Sequence, residues 1–393
     1  MICLSIFDQP INRRQTNSFK WDAMEQVYNL KDTSDILPMW VADMDFAAPE
    51  AVTQALHNHL EQAVFGYSFI HDNVKDSVVD WLNTRHEWQI EKETILFRHG
   101  VIPAMANIIT ALTNPGDKVL VSTPVYPPFF NVPKNNDREV ITCPLVEVNG
   151  SFVYDFDTFE QALAQNVKVY ILCNPHNPGG YVWSEETLKE IVRLCAKYDV
   201  LIISDEIHAD LMLDGAIHTP LAKVAGDEID RIITCMAPTK TFNLAGIQIA
   251  YMIATDKKKR AKLESVISAS GHGGLNNFAP IALHAAYTEG SPWLDELLVY
   301  VSKNIDYVIA ELGQLPGIHI QKPQGTYLIW IDYRELGIDE KDMMKRLLEV
   351  GRLALEPGSK YGVEGKGFLR MNVACSLDTV KDGVARFKQA LAK

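Results

Sequence analysis

Long apolar runs are missing from this chain: none approaches the roughly 18 residues needed to span a bilayer, so no membrane association is expected. Positive charge is also in deficit. Lys and Arg total 37 against 50 Asp and Glu, a net charge of −13, which argues against a nucleic-acid surface. The one basic run, Lys257-Lys-Lys-Arg260, reads as a solvated helix start. Cysteine is sparse and unpatterned. Six residues, Cys3, Cys143, Cys173, Cys195, Cys235 and Cys375, form no CxxC pair and no metal-ligand spacing. Cys173 and Cys235 lie in apolar strand-like runs and read as small buried hydrophobes. Scattered thiols suit a reducing compartment, and the short apolar stretch before Asn12-Arg-Arg14 is no signal peptide, so a cytoplasmic location is expected. There is no internal repeat and no low-complexity tract.

What is present is an ordinary globular composition, 47% hydrophobic and 22% charged over 393 residues. That length implies two domains. Between about residues 94 and 255, short β-branched runs alternate with helical patterns. The strand candidates are 94–97, 118–122, 168–173, 200–204, 231–235 and 249–254, with helices such as 104–112 and 185–198 between them. This rhythm predicts an α/β fold, a mostly parallel sheet with helices on both faces. After about 288 the pattern changes to a long helix from 292 to about 312. A strand alternating like a half-buried one follows at 325–332, then a helix near 340–350, a short strand at 367–372 and a last helix. The expected division is a large domain, 46–287, and a smaller α+β domain built from 288–393 with residues 1–45 wrapped onto it.

Lys240 is the most informative residue. It lies in Cys235-Met-Ala-Pro-Thr-Lys-Thr-Phe-Asn-Leu-Ala-Gly246, just after an apolar run. A lysine among apolar neighbours can lose its proton, and a neutral amine forms a Schiff base with an aldehyde. A pyridoxal phosphate enzyme needs such a lysine and a carboxylate for the pyridinium nitrogen. Asp205, in Ser204-Asp-Glu-Ile-His208, ends another apolar run and needs a partner if buried; a helix cap is its other use. Arg98-His-Gly-Val-Ile-Pro103 leaves a strand and opens a helix, with the Val101 and Ile102 amides free to hold a phosphate. A strand-to-helix turn needing glycine for geometry alone is the other reading. Tyr126, in Thr123-Pro-Val-Tyr-Pro-Pro128, could stack on a planar ring or simply pack. Asn177, in Asn174-Pro-His-Asn-Pro-Gly-Gly180, could donate to a phenolate-type oxygen or belong to a plain turn.

Taken in order, these segments resemble the fold-type I pyridoxal 5′-phosphate (PLP) enzymes, aminotransferase class I/II. More narrowly, Lys20-Trp21-Asp22, Trp40-Val-Ala-Asp-Met-Asp-Phe46, Val64-Phe-Gly-Tyr-Ser68, Lys240-Thr-Phe-Asn-Leu-Ala-Gly246 and Gly367-Phe-Leu-Arg-Met-Asn372 resemble the MalY/PatB branch of cystathionine β-lyase-like C–S lyases. The resemblance spans almost the whole chain. It implies that Lys240 holds the cofactor and moves the Cα proton, and that Asp205 pairs with the pyridinium nitrogen. Asn177 would bond the ring O3′ with His208 close by, and Tyr126 would stack on the ring. Val101, Ile102 and Thr239 would hold the phosphate, and Arg370 would grip the substrate α-carboxylate. Tyr67 resembles a tyrosine that reaches the phosphate from a partner subunit, which implies a homodimer.

Three departures narrow the activity. Many class I aminotransferases have serine where this chain has Ala237, arginine where it has Gln248, and Asn-Pro-Thr-Gly where it has Asn177-Pro-Gly-Gly180. The glutamine agrees with the C–S lyase branch. No arginine occurs from Leu263 to Val301, where dicarboxylate transaminases draw one from the partner chain, and Gly271-His-Gly-Gly274 leaves room for a thioether. The expected reaction is β-elimination from L-cystathionine or related S-substituted L-cysteines, giving thiol, pyruvate and ammonia, with Tyr126 available to protonate the departing sulfur. The alternatives are an aminotransferase acting on a neutral amino acid and a PLP-binding regulator that acts through a protein partner.

Overall fold

A computed structural model describes residues 5–148, 150–271 and 274–392. Its main sheet has seven strands: β1 (Ile95–Arg98), β2 (Lys118–Thr123), β3 (Glu139–Pro144), β4 (Val167–Cys173), β5 (Leu201–Asp205), β6 (Ile232–Met236) and β7 (Ala250–Ala254). Their order across the sheet is β1-β7-β6-β5-β4-β2-β3. Neighbours run parallel except β7, which is antiparallel to both β6 and β1. The strands begin within a residue or so of the expected positions. β3 was not anticipated, because this edge strand exposes Glu139, Thr142 and Pro144 and lacks a continuous apolar run.

Side chains alternate across the sheet, and both faces are dry. Leu120, Tyr170, Leu172 and Ile202 join one core with Leu188, Ile191 and Leu194, which come from the helix Glu185–Lys197. Val119, Val121, Val169, Ile171 and Ile203 join another with Val101, Met105 and Ile108 from the helix Val101–Leu112. Strands buried on both sides read as continuous Val/Ile/Leu runs, which is why they were legible. The basic run begins the helix Lys257–Ala269, capped by Asp256, which accepts from the Lys258 and Lys259 amides. Its bland reading holds. Cys173 and Cys235 are buried free thiols.

A second sheet has four strands: β8 (His319–Ile320), β9 (Leu328–Asp332), β10 (Glu356–Pro357) and β11 (Phe368–Asn372), in the order β8-β9-β11-β10. The long helix is Ser291–Leu312. The alternation expected for 325–332 does not correspond to a half-buried strand. Leu328, Ile329, Trp330 and Ile331 are all buried, because Trp330 stacks on Phe368 on the side away from Ile329 and Ile331. The helix at 340–350 is α-helical over Glu340–Lys345 and a π turn over Arg346–Val350. The N-terminal segment meets this region through Leu37–Pro38, which pairs in parallel with Leu353–Ala354. No described helix is long and apolar enough to cross a membrane.

Candidate active site

Five strands deliver the candidate residues to one edge of the main sheet. β1 ends at Arg98, and Gly100 precedes the helix Val101–Leu112; β2 ends at Thr123, and Tyr126 follows. β4 ends at Cys173 before Asn174, β5 ends at Asp205, and β6 ends at Met236 before the single turn Pro238–Thr241 that carries Lys240. Ligands of open α/β sheets bind at the carboxyl ends of the strands. A cavity of about 190 Å³ opens there, lined by Val101, Ile102, Tyr126, Asn177, Asp205, His208, Thr239 and Lys240, with Ala42, His99 and Gln248. Arg370, at the centre of β11, stands behind Asn177 and donates from Nη1 to its Oδ1 at 3.1 Å.

Burial sets the electrostatics. Lys240 is brought down to about 8 by desolvation and then by the charge of Arg370. Its Nζ donates to the Ala42 carbonyl at 2.6 Å, and that same oxygen accepts from the Tyr327 hydroxyl at 3.1 Å. Asp205 is pushed up to about 7 by burial, and the charge of Glu206 acts in the same direction. It accepts from the Ile207 amide at 3.1 Å in a local turn; no described helix begins there, so it is not a helix cap, and its residue lines the cavity. His208 is buried, held neutral with a pKa of about 3 by desolvation, and its Nδ1 has no partner. Burial raises the Tyr126 phenol, keeping it protonated. An amine, a carboxyl and an orphaned imidazole nitrogen therefore converge on one cleft, with the Arg370 guanidinium behind Asn177.

The opposite wall is a strap, residues 39–46, whose motif was visible in the sequence without an assigned role. Lys20, fully buried, pairs with Asp45 at 2.7 Å, while Arg13 grips Asp43 through both terminal nitrogens and Asp45 through one. Burial works against the charge of Asp45, but Lys20, Trp21 and Arg13 hold its carboxyl below the usual range. Asn243, three residues after Lys240, exchanges hydrogen bonds with Met44 and also donates to the Phe46 carbonyl. Arg370 Nη2 donates to the Trp40 carbonyl at 2.8 Å, and its guanidinium lies 5.3 Å from the ring centre of Tyr361. Lys20→Met is expected to cost about 3 kcal/mol of stability, because it strips a buried carboxylate of its main partner. Thermal unfolding measures it, and a loss no larger than that of an exposed ion pair would contradict the clamp.

The groups at the site not singled out from the sequence are the Ala42 carbonyl and His99, which line the cavity, Tyr327 on that carbonyl, and Tyr361 beside Arg370. A backbone carbonyl has no side-chain signature, and Tyr327 and Tyr361 fall in no segment to which the sequence assigned chemistry. Two candidates do not line the cavity: Arg370, which stands behind Asn177, and Tyr67. Tyr67 is fully exposed, in a segment that also exposes Val64, Phe65 and Phe69. His272 and Gly273 of the glycine-rich stretch lie outside the described residues.

A family model described as Aminotransferase class I and II matches residues 34–387. The chain belongs to that family. Among class I and II relatives, it is 45% identical over 388 residues to cystathionine beta-lyase PatB of Bacillus subtilis, covering 98% of this chain and 100% of PatB. It is 32% identical to protein MalY of Escherichia coli, covering 98% of each. Among solved structures, cystalysin of Treponema denticola, which contains a pyridoxal 5′-phosphate cofactor, superposes with a TM-score of 0.94 at 33% identity over 98% of both chains. The α/β architecture expected from the sequence is thus that of this aminotransferase family.

Proposed function

We propose that this chain is a PLP-dependent C–S β-lyase, cleaving L-cystathionine or related S-substituted L-cysteines to thiol, pyruvate and ammonia. The observation that carries this is the pairing in one cavity of a partly neutral Lys240 amine and a buried Asp205 carboxyl short of its normal solvation. The kinship with PatB supports the reaction type. The cleft fits the cofactor: His208 Nδ1 and Arg370 Nε are buried polar atoms without partners, and the first amides of the helix Val101–Leu112 have no intrahelical acceptor.

PLP, when bound, supplies an electron sink conjugated to the substrate Cα. Asp205 would keep the ring nitrogen protonated, Asn177 and His208 would face the ring oxygen, and Tyr126 would stack on the ring. The Val101 and Ile102 amides, with Thr239, would hold the phosphate at the positive end of the helix dipole. Arg370 holds the α-carboxylate as a fork, Lys240 takes the Cα proton, and Tyr126, kept protonated by burial, hands a proton to the departing sulfur. Among the described residues lining the cavity, Lys240 is the only lysine or arginine, which favours a substrate without a second carboxylate to be paired. The exposed apolar segment around Tyr67 supports burial against a second copy of the chain, with Tyr67 reaching the partner's phosphate site. A cytoplasmic location completes the reading.

Asp205 offers a check that is independent of turnover. Its folded pKa, about 7, exceeds the ordinary 3.8, so ionising it costs folding stability as pH rises from about 4 to 7. Asp205→Asn is expected to raise the Tm of the cofactor-free protein over the parent at pH 8 and to change it little at pH 4. A Tm difference independent of pH would mean that the carboxyl is not desolvated.

The reaction type is tested by the visible absorption of the bound cofactor under excess L-cystathionine without a 2-oxo acid. A lyase regenerates the band after each turnover. Stoichiometric bleaching that only a 2-oxo acid reverses would make the enzyme a transaminase.

A further inference from the structure

The turn that carries Lys240 is only four residues long and has no side-chain cap. What holds it from below is a buried polar network that the reaction chemistry leaves unused. Thr241, next to Lys240 and wholly buried, donates its hydroxyl to Asp210 Oδ2 at 2.7 Å. Asp210 Oδ1 accepts from the Trp81 indole at 3.0 Å and pairs with His86 Nε2 at 2.8 Å. The imidazole of His86 meets that of His218 edge to face, with ring centres 5.4 Å apart, and His218 Nε2 pairs with Glu206 at 2.8 Å. Glu206 directly follows Asp205. Two buried acid–imidazole pairs therefore abut, one attached next to Lys240 through Thr241 and the other next to Asp205 through Glu206.

Nothing in fold stability requires this. A buried ion pair is often no more stabilising than apolar side chains of the same shape, and aromatic rings pack beside this one, with Trp81 stacked on Tyr287. Its distinctive property is direction: Asp210 has donors on both oxygens, so Thr241 has one hydroxyl orientation and the turn has one position.

We infer that Asp210, acting through the Thr241 hydroxyl, is a positioning residue for Lys240, holding its amine where it can reach both the aldehyde and the Cα proton. This rests on the role proposed above for Lys240. A misplacement on the scale of 1 Å costs about 10²-fold in rate, whereas substrate binding through Arg370 is left alone.

The test uses Thr241→Val, which keeps shape and loses the donor, Thr241→Ser, which keeps the donor, and Asp210→Asn. Two quantities are read: the rate at which the cofactor-free protein captures added PLP on Lys240, trapped by borohydride and located by mass spectrometry, and kcat with KM for thiol release. Thr241→Val and Asp210→Asn are expected to slow capture and lower kcat by about 10- to 100-fold with KM held within about threefold, and Thr241→Ser to restore both. A Thr241→Val protein that melts earlier but captures PLP and turns over like the parent would reduce the network to a structural role, as would a Thr241→Ser protein as slow as Val. If the Val protein does not fold, Asp210→Asn decides by the same two readings. Capture is measured without turnover, so a parent that captures PLP but releases no thiol would count against the lyase reading and leave this inference standing.

Discussion

Lys240→Ala is expected to abolish turnover and the visible absorption of the bound cofactor together. Two contributions disappear at once. One is the amine that joins the aldehyde, and the other is the base that takes the Cα proton. Positioned proton transfer alone contributes about 10²- to 10⁴-fold, so kcat/KM should fall by at least about 10³-fold. The substitution also frees the Ala42 carbonyl, which retains the Tyr327 hydroxyl at 3.1 Å, so the strap should stay in place and the loss should not be one of folding. The parent amine, with a pKa of about 8, is largely protonated at pH 7 and largely neutral at pH 9. Cofactor capture by the parent should therefore accelerate through that interval. A Lys240→Ala protein with appreciable turnover would remove the foundation of the site.

Arg370→Ala should raise KM for the amino acid while the cofactor remains bound. Arg370 lies in the middle of β11, buried and hydrogen-bonded to Asn177, and is not one of the residues proposed to hold the phosphate. Charge-assisted hydrogen bonds contribute about 1.5–3 kcal/mol each, so losing a two-pronged grip on a carboxylate should lower kcat/KM by about 10²- to 10⁴-fold. Lysine at this position keeps the charge without the fork and should recover only part of the loss. One side effect follows from the same charge. Arg370 helps to lower the Lys240 pKa, after desolvation, so the alanine variant should capture cofactor with a midpoint shifted to higher pH. Loss of the cofactor itself from the variant would instead place Arg370 at the phosphate.

The two variants separate the site into parts that differed in how legible they were. The strand ends were readable because each is a buried Val/Ile/Leu run broken by one residue that has no business in a core: Asp205 after Ile202 and Ile203, Lys240 after Ile232 and Ile233. The turn residues Gly100, Pro124 and Pro175 punctuate the same edge. Hydrophobic periodicity and turn chemistry are local, so they survive in one dimension. The strap was not readable in that way. Lys20, Asp43 and Asp45 look like surface charges until folding brings Arg13 and Lys20 onto the two carboxylates, and the product of that clamp is the position of a backbone oxygen. Strand β9 misled for a related reason. Apparent alternation stops reporting a solvent face when an aromatic stack, here Trp330 on Phe368, covers the second side. Tyr67 shows a third limit. Its exposure in a single chain gives it no partner to be read from, and the role proposed for it would need a second chain.

The products report on β-elimination most directly. Purified protein loaded with PLP and given L-cystathionine, with no 2-oxo acid present, should release pyruvate and homocysteine in equal amounts over many turnovers. Homocysteine without pyruvate, or no product until a 2-oxo acid is supplied, would contradict β-elimination at this site.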